Sequence, residues 1–195
     1  MEQWLHTQQT QAGFSDKVDE ICTLYRDSSQ LRANDIHVIS VDEKTGIQAL
    51  EYRAVTPLKP TQIQRQDSEY TRHGTQCLIA NIEVATGKVI YPTVGDTSDL
   101  GCKGKAGILK NMDSRMAFLA SKTHRIRFVY TPKHASWLNQ IECWFSIISR
   151  QLLKRLSVAS KDALNNLIHS YIDYYNQTTA NPFKWMYTRK TSCAV

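Results

Sequence analysis

Two carboxylates stand where chemistry is possible. Asp42 closes a run of β-branched and apolar residues at 36–42 and is followed at once by Glu43, while Glu142 falls on the second turn of an amphipathic helical pattern, beside its apolar stripe. Carboxylates at the ends of core elements can converge on one edge of a sheet. Magnesium and manganese prefer hard oxygen ligands, so such a pair suits metal-dependent phosphoryl transfer, in which one ion activates the attacking oxygen and another stabilises the leaving oxygen. Spacing alone leaves a second reading open, because strand-end acids are common and Glu142 on a helix rim can simply be solvated.

The elements that would position these acids follow from the hydrophobic pattern. Phe14, Val18, Ile21, Cys22 and Tyr25 recur at helical spacing after Ser15, which predicts a helix to about Arg26. Residues 36–42 carry apolar side chains on both faces, the pattern of a strand buried inside a sheet. Residues 53–72 are polar, hold Pro57 and Pro60, and set Arg53, Lys59, Arg65 and Arg72 against Asp67 and Glu69; they read as a basic loop, either a plain connector or a DNA contact. Residues 75–84 and 88–94 form an expected antiparallel hairpin with its turn at Ala85, Thr86 and Gly87. An irregular stretch with Gly95, Gly101, Gly104 and Gly107 precedes a short helical pattern of Ile108, Leu109, Met112, Met116 and Leu119. Residues 124–130 alternate as a strand with Ile126, Phe128 and Tyr130 on one face. Ser136 is placed to cap a long helix with the stripe Leu138, Ile141, Phe145, Ile148 and Leu152, ending among Lys154 and Arg155, and Ser160 to cap a last helix with Leu164, Leu167, Ile168, Tyr171, Ile172 and Tyr175. Trp137 and Trp144 read as packing residues of the long helix. The order is α/β, with one main domain at 36–190, a connector helix within 1–35 and a tail at 191–195.

Bulk composition narrows the partners. Lys and Arg number 24 against 18 Asp and Glu, a mildly cationic balance that favours a polyanion without proving one. The five cysteines (Cys22, Cys77, Cys102, Cys143, Cys193) are odd in number and never form a C-x-x-C pair, which argues against a disulfide framework or a zinc site. No apolar run reaches the length of a membrane span, and residues 1–13 lack the apolar region of a signal peptide. The expectation is a soluble protein of a bacterial cytosol or nucleoid, with no membrane partner.

The wording around the acids is more specific than their spacing. The stretches VDEKTGIQAL at 41–50, RHGT at 72–75 and YTPKHASWLNQIECWFS at 130–146, with NPFKWMY at 181–187, resemble the DDE endonuclease domain of bacterial insertion-sequence transposases related to the mariner superfamily. The resemblance implies a ribonuclease-H-like mixed sheet flanked by helices, Mg2+ or Mn2+ held by three acids, and DNA as partner, both transposon ends and target. It also implies a homodimer or an intact transposase as protein partner. Asp42 matches the first catalytic Asp and Glu142 the third acid, both as metal ligands. Lys44, Arg72, His73, Lys133 and His134 are the candidate DNA contacts, with a plain loop histidine left open for His134; Lys103, Lys105, Lys110, Arg125 and Arg127 are either further phosphate contacts or scattered surface charge.

The second acid does not transfer. The family carries it at the end of a buried strand between the hairpin and the strand before the long helix, and the 30 residues from 95 to 124 (124 − 95 + 1) hold no apolar β run ending in Asp. Asp96, Asp99 and Asp113 occupy a polar turn and a helical pattern instead. The expected fold is therefore a ribonuclease-H-like sheet missing the strand that carries the second catalytic Asp, internally deleted near residues 96–100 and without the helix-turn-helix region. Its activity would be incomplete; a non-catalytic DNA-binding or transposase-interacting fragment, or a non-functional pseudogene product, are the alternatives. Asp42 and Glu142 are expected to approach each other at one sheet edge. The strand at 125–130 is expected either to pair with the 36–42 strand or to leave a loosely packed core.

Overall fold

The computed structural model describes residues 13–53, 68–96, 116–118, 120–121, 123–132 and 135–187. Within them the chain forms α1 (Phe14–Ala33), β1 (Ile39–Tyr52), β2 (Tyr70–Glu83), β3 (Val89–Gly95), a 3₁₀ turn (Ser136–Leu138), α2 (Ile141–Gln151), a second 3₁₀ turn (Leu153–Arg155) and α3 (Lys161–Thr178). The strands make one antiparallel sheet in the order β1-β2-β3. This mixed α/β arrangement is compatible with a ribonuclease-H-like core.

Alternation along β2 places Leu78, Ala80 and Ile82 on one face, and two helices cover it. Ile141, Trp144, Phe145 and Ile148 of α2, and Leu164, Ile168, Ile172 and Tyr175 of α3, recur at helical spacing and join those strand residues in one core. Ser160 caps α3 by accepting the Ala163 N–H at 3.0 Å, as its position predicts. The β2–β3 hairpin also forms as expected, turning through Gly87 at φ +70°. A Cβ at Gly87 would lie 2.0 Å from the Asn181 carbonyl oxygen, so glycine is required there both for the turn and for the approach of the 181–187 segment. That segment laces the molecule together: Phe183 packs on the sheet core, and Trp185 packs on α1, where its Nε1 donates to Cys22 Sγ at 3.3 Å.

α1 belongs to a second, smaller cluster. Val18, Ile21 and Cys22 pack with Ala135 and Leu138, bordered by Tyr25, Val129 and Trp185. The helix begins after Gly13 rather than at Ser15 and continues past Arg26 to Ala33, because residues 27–33 contain no breaker; it stops where the Asn34 N–H turns back to the Leu31 and Arg32 carbonyls.

Several expected elements differ. The first strand starts at Ile39 and runs through Asp42 to Tyr52, and among the described residues it is an edge strand, with Val41 51% exposed, rather than a strand buried on both faces. Its polar half escapes the alternation rule because of a bulge: Lys44 pairs with Leu78 and Ile47 with Gln76, which leaves one extra residue at 45–46. Gly46 takes φ +73° there, and the inward-facing set changes from Ser40, Asp42 and Lys44 to Ile47 and Ala49. Residues 70–72, expected in the basic loop, belong to β2; residues 54–67 lie outside the described residues. Residues 126–130 alternate correctly but make no ladder among the described residues and do not pair with β1. Val129 packs on the α1 cluster, and Arg127 and Arg125 pair with Glu20 and Asp35, so charge and one apolar contact hold the segment against α1 and the residues that follow it. Ser136 makes no capping bond; it opens a 3₁₀ turn, and the long helix starts five residues later at Ile141. Most of the helical pattern at 108–119 lies outside the described residues, although residues 116–118 are helical.

Candidate functional site

Asp42 lies inside β1 rather than at its end, directly opposite Ala80, between Ser40 (opposite Ile82) and Lys44 (opposite Leu78). Those three partners face the helices, so Ser40, Asp42 and Lys44 face them too, at the edge where α2 begins. The Asp42 carboxylate is bonded on both oxygens: Oδ1 accepts the Glu43 N–H at 2.8 Å, and Oδ2 accepts Asn139 Nδ2 at 3.1 Å.

Asn139 joins the two elements. It sits in extended conformation between the 3₁₀ turn and α2. Its Nδ2 also donates to the Val41 carbonyl at 3.0 Å, and its Oδ1 is hydrogen-bonded to the Ser40 hydroxyl. Ser40 Oγ in turn accepts the Ile141 N–H at 3.0 Å, and the Asn139 carbonyl accepts the Glu142 N–H at 3.1 Å. Glu142 therefore stands in the first turn of α2, not the second, exposed at the positive end of the helix dipole. Asp42 and Glu142, 100 residues apart (142 − 42), are both bonded to Asn139, one through its side chain and the other through its backbone. Behind them the buried Leu138 is held by Tyr25, whose hydroxyl donates to the Leu138 carbonyl at 2.9 Å. Burial pushes the Tyr25 phenol above its ordinary value, which keeps it a donor.

The other sequence candidates separate into two places. The Lys44 ammonium lies 5.7 Å from the centroid of the Phe145 ring, a residue one helical turn beyond Glu142, so it stays beside the acids. Arg72 and His73 do not. Ala80 and Arg72 are eight residues apart along β2 (80 − 72), about 26 Å at the rise of an extended strand. Arg72 is exposed at that far end, and His73 Nε2 is 2.8 Å from Glu51 Oε2. Lys133 and His134 lie outside the described residues, as do Asp99 and Asp113. Asp96 directly follows β3, near the level at which Gly95 pairs with Cys77, and both its oxygens are bound to Lys161 Nζ, at 2.9 and 2.7 Å. Trp144 is fully buried as a packing residue, whereas Trp137 is 43% exposed, with its ring 4.9 Å from Tyr187. Among the described residues no group of three or more His, Cys, Asp or Glu could hold a metal ion.

Sequence reasoning passed over Ser40 and Asn139. A signal existed for each: Ser40 is a lone hydroxyl in an apolar strand run, and Asn139 opens an amide pair, Asn139-Gln140, set between the apolar Leu138 and Ile141. Polar residues in such surroundings are there to be hydrogen-bonded.

Residues 110–165 match the family model of the DDE superfamily endonuclease, a span that includes Asn139, Glu142 and all of α2. Neither the curated proteins nor the solved structures yield a match to the chain. Among the described residues no helix is long and apolar enough to cross a membrane.

Proposed function

We propose that this chain is a transposase-type DDE domain, related to those of mariner-like insertion sequences, in which Asp42 and Glu142 hold a divalent ion against a DNA phosphodiester backbone, and that it is catalytically incomplete. The observation that carries the proposal is the place of Asn139, which donates to the Asp42 carboxylate and accepts the backbone N–H of Glu142, with Asn139 and Glu142 inside the span that matches a DDE endonuclease and Asp42 outside it. The donor set is two carboxylates, hard oxygens suited to Mg2+ or Mn2+, and the hydrogen bonds to Asp42 leave further lone pairs on each of its oxygens. An ion held there would supply Lewis-acid activation of an attacking oxygen. Two carboxylates fit one ion; clamping a second requires another acid. Asp96 does not fit that role, since Lys161 neutralises it at a different level of the sheet.

Lys44 would neutralise a phosphate next to the ion, whereas Arg72, about 26 Å along the sheet, would meet a duplex some seven or eight base pairs away. The test combines Mn2+ binding to the whole chain with nicking of supercoiled plasmid DNA in Mg2+ or Mn2+. We expect Mn2+ binding that is lost in Asp42→Asn and in Glu142→Gln, with no nicking. Metal-dependent nicking abolished by either substitution would end the claim of incompleteness; a wild-type chain that binds no more Mn2+ than the double variant would end the metal reading.

The separation of Arg72 and His73 from the acids favours a second reading, a non-catalytic DNA-binding or transposase-interacting fragment. It predicts a gel shift that weakens in Arg72→Ala but is unchanged in Asp42→Asn.

A further inference from the structure

Asn139 makes more contacts than closing a sheet edge requires. Its carboxamide has only one chemically consistent orientation, because the two acceptors, the Val41 carbonyl and Asp42 Oδ2, must face Nδ2. A flipped amide would set its oxygen against both. Ser40 fixes this orientation from the other side: its hydroxyl takes the Ile141 N–H as acceptor, so its own hydrogen is free to point at Asn139 Oδ1. Every donor in the Ser40–Asn139–Asp42 chain thus has an acceptor, and the direction runs from the α2 backbone through Ser40 and Asn139 to the carboxylate. A residue needed only to cap the edge would stop at Val41.

We infer that Asn139 is a positioning residue, oriented by Ser40, that fixes the Asp42 carboxylate relative to the first turn of α2 and so sets the separation of Asp42 and Glu142 before an ion arrives. The inference rests on the reading of those two acids as ion ligands. Charged ligands held by hydrogen bonds lose less freedom on binding, and removing such an outer partner commonly weakens metal affinity about 10- to 100-fold. Asn139 is the residue through which this applies here, since it bonds to Asp42 by its side chain and to Glu142 by its carbonyl.

The experiment uses the whole chain, with Mn2+ itself as the probe, read by calorimetric titration and by the electron paramagnetic resonance spectrum of the bound ion. Thermal melting is recorded on the same samples. The expected result is at least about tenfold weaker Mn2+ binding in Asn139→Ala, with a broadened hyperfine pattern from a less uniform site. Ser40→Ala should show the same change to a smaller degree, and Ser40→Thr, which keeps the hydroxyl, should restore the wild-type spectrum. If Asn139→Ala does not fold, the Ser40 pair decides. A purely edge-capping role would lower the melting midpoint in Asn139→Ala while Mn2+ affinity and spectrum stayed at wild type; that result overturns the inference and leaves the acids in place as ligands. Absence of Mn2+ binding in the wild type beyond that of the Asp42→Asn, Glu142→Gln double variant removes the underlying reading, and the inference with it. The two failures differ in whether the unaltered chain binds the ion.

Discussion

The two edges of the sheet each end on an asparagine, used differently. On β3, Asn176 of α3 accepts the Val89 N–H at 2.9 Å and donates to the Val89 carbonyl at 2.7 Å, the pair of bonds a neighbouring strand would make. Val89 is buried in the main core, so this edge is closed for stability. On β1, Asn139 also caps a backbone carbonyl, at Val41, but shares the same nitrogen with a carboxylate and needs Ser40 to orient it. An edge of a sheet has unpaired polar groups that must be satisfied, and whichever side chain satisfies them is already placed next to the strand's own side chains. At β3 those neighbours are apolar and the asparagine remains structural. At β1 the neighbour is Asp42, and the same device orients an acid.

The largest effect that would break this contrast lies on the β3 side. Gly87→Ala places a Cβ within 2.0 Å of the Asn181 oxygen in a backbone conformation at φ +70°. The neighbour is backbone and cannot swing away, so the hairpin and the 181–187 segment must part. A loss of about 3 kcal/mol is expected, seen as a melting midpoint lowered by roughly 10 °C in circular dichroism. Asn176→Ala should follow at about 2 kcal/mol, since two backbone groups of a buried residue lose their partners. Neither substitution should alter Mn2+ binding beyond the effect of partial unfolding. A selective loss of Mn2+ affinity in Asn176→Ala, in chains still fully folded, would show that the edges are not functionally distinct. The reverse holds at β1: Asn139→Ala should cost about 1.5 kcal/mol, because Val41 is exposed and Asp42 half-exposed, so that chiefly the buried Ser40 hydroxyl loses its acceptor, while its effect on ion binding is the larger one.

What was legible in the sequence follows the range of the interactions. The β2–β3 hairpin and α3 depend on alternation, on a glycine at the turn and on a serine three residues from the amide it caps, all of them local. The contrasting case is β1. Its bulge at Gly46 reverses which residues face inward, so Glu43, Lys44 and Thr45 read as the end of a strand that in fact continues to Tyr52. The 124–130 segment has the right alternation but, among the described residues, no partner strand, and a pattern of side chains cannot supply one. Asp42 and Glu142 stand out in the sequence by their surroundings, whereas the hydrogen bonds that Ser40 and Asn139 make beside them do not. Ser40 and Asn139 are 99 residues apart, and nothing near either of them names the other.

The smallest effect concerns a third tie, between α1 and the sheet, at neither edge. Glu83, at the end of β2, is only 7% exposed and accepts from Arg32 Nε at 3.1 Å and Thr86 Oγ1 at 2.6 Å, with His37 Nδ1 at 2.6 Å. Burial by itself pushes the Glu83 carboxyl up, but the bonds from Thr86, His37 and Arg32 together outweigh it and hold the carboxyl below its ordinary value of 4.5. The hydrogen bond with Glu83 raises His37 above its ordinary 6.5, against a smaller opposing effect of desolvation; Asp35, 3.6 Å away and itself facing Arg125, adds to the rise. The signs then set a window. The Glu83 contribution is present above its unfolded value and fades as pH falls through its lower folded one; the His37 contribution is complete below its unfolded value and is lost as pH rises through its higher folded one. Stability should therefore hold level in mildly acidic solution and decline slightly through neutrality into alkali. His37→Gln should flatten that alkaline decline without changing Mn2+ binding, because the tie lies outside both edge networks. Melting midpoints of the two chains from about pH 5 to about pH 9, across the ordinary histidine range, measure it. An alkaline decline of equal slope in both chains would show that His37 carries no part of the tie, and that α1 is held by Arg32, by the polar contacts of Tyr25 and Glu20, and by its apolar packing on Leu138 and Trp185.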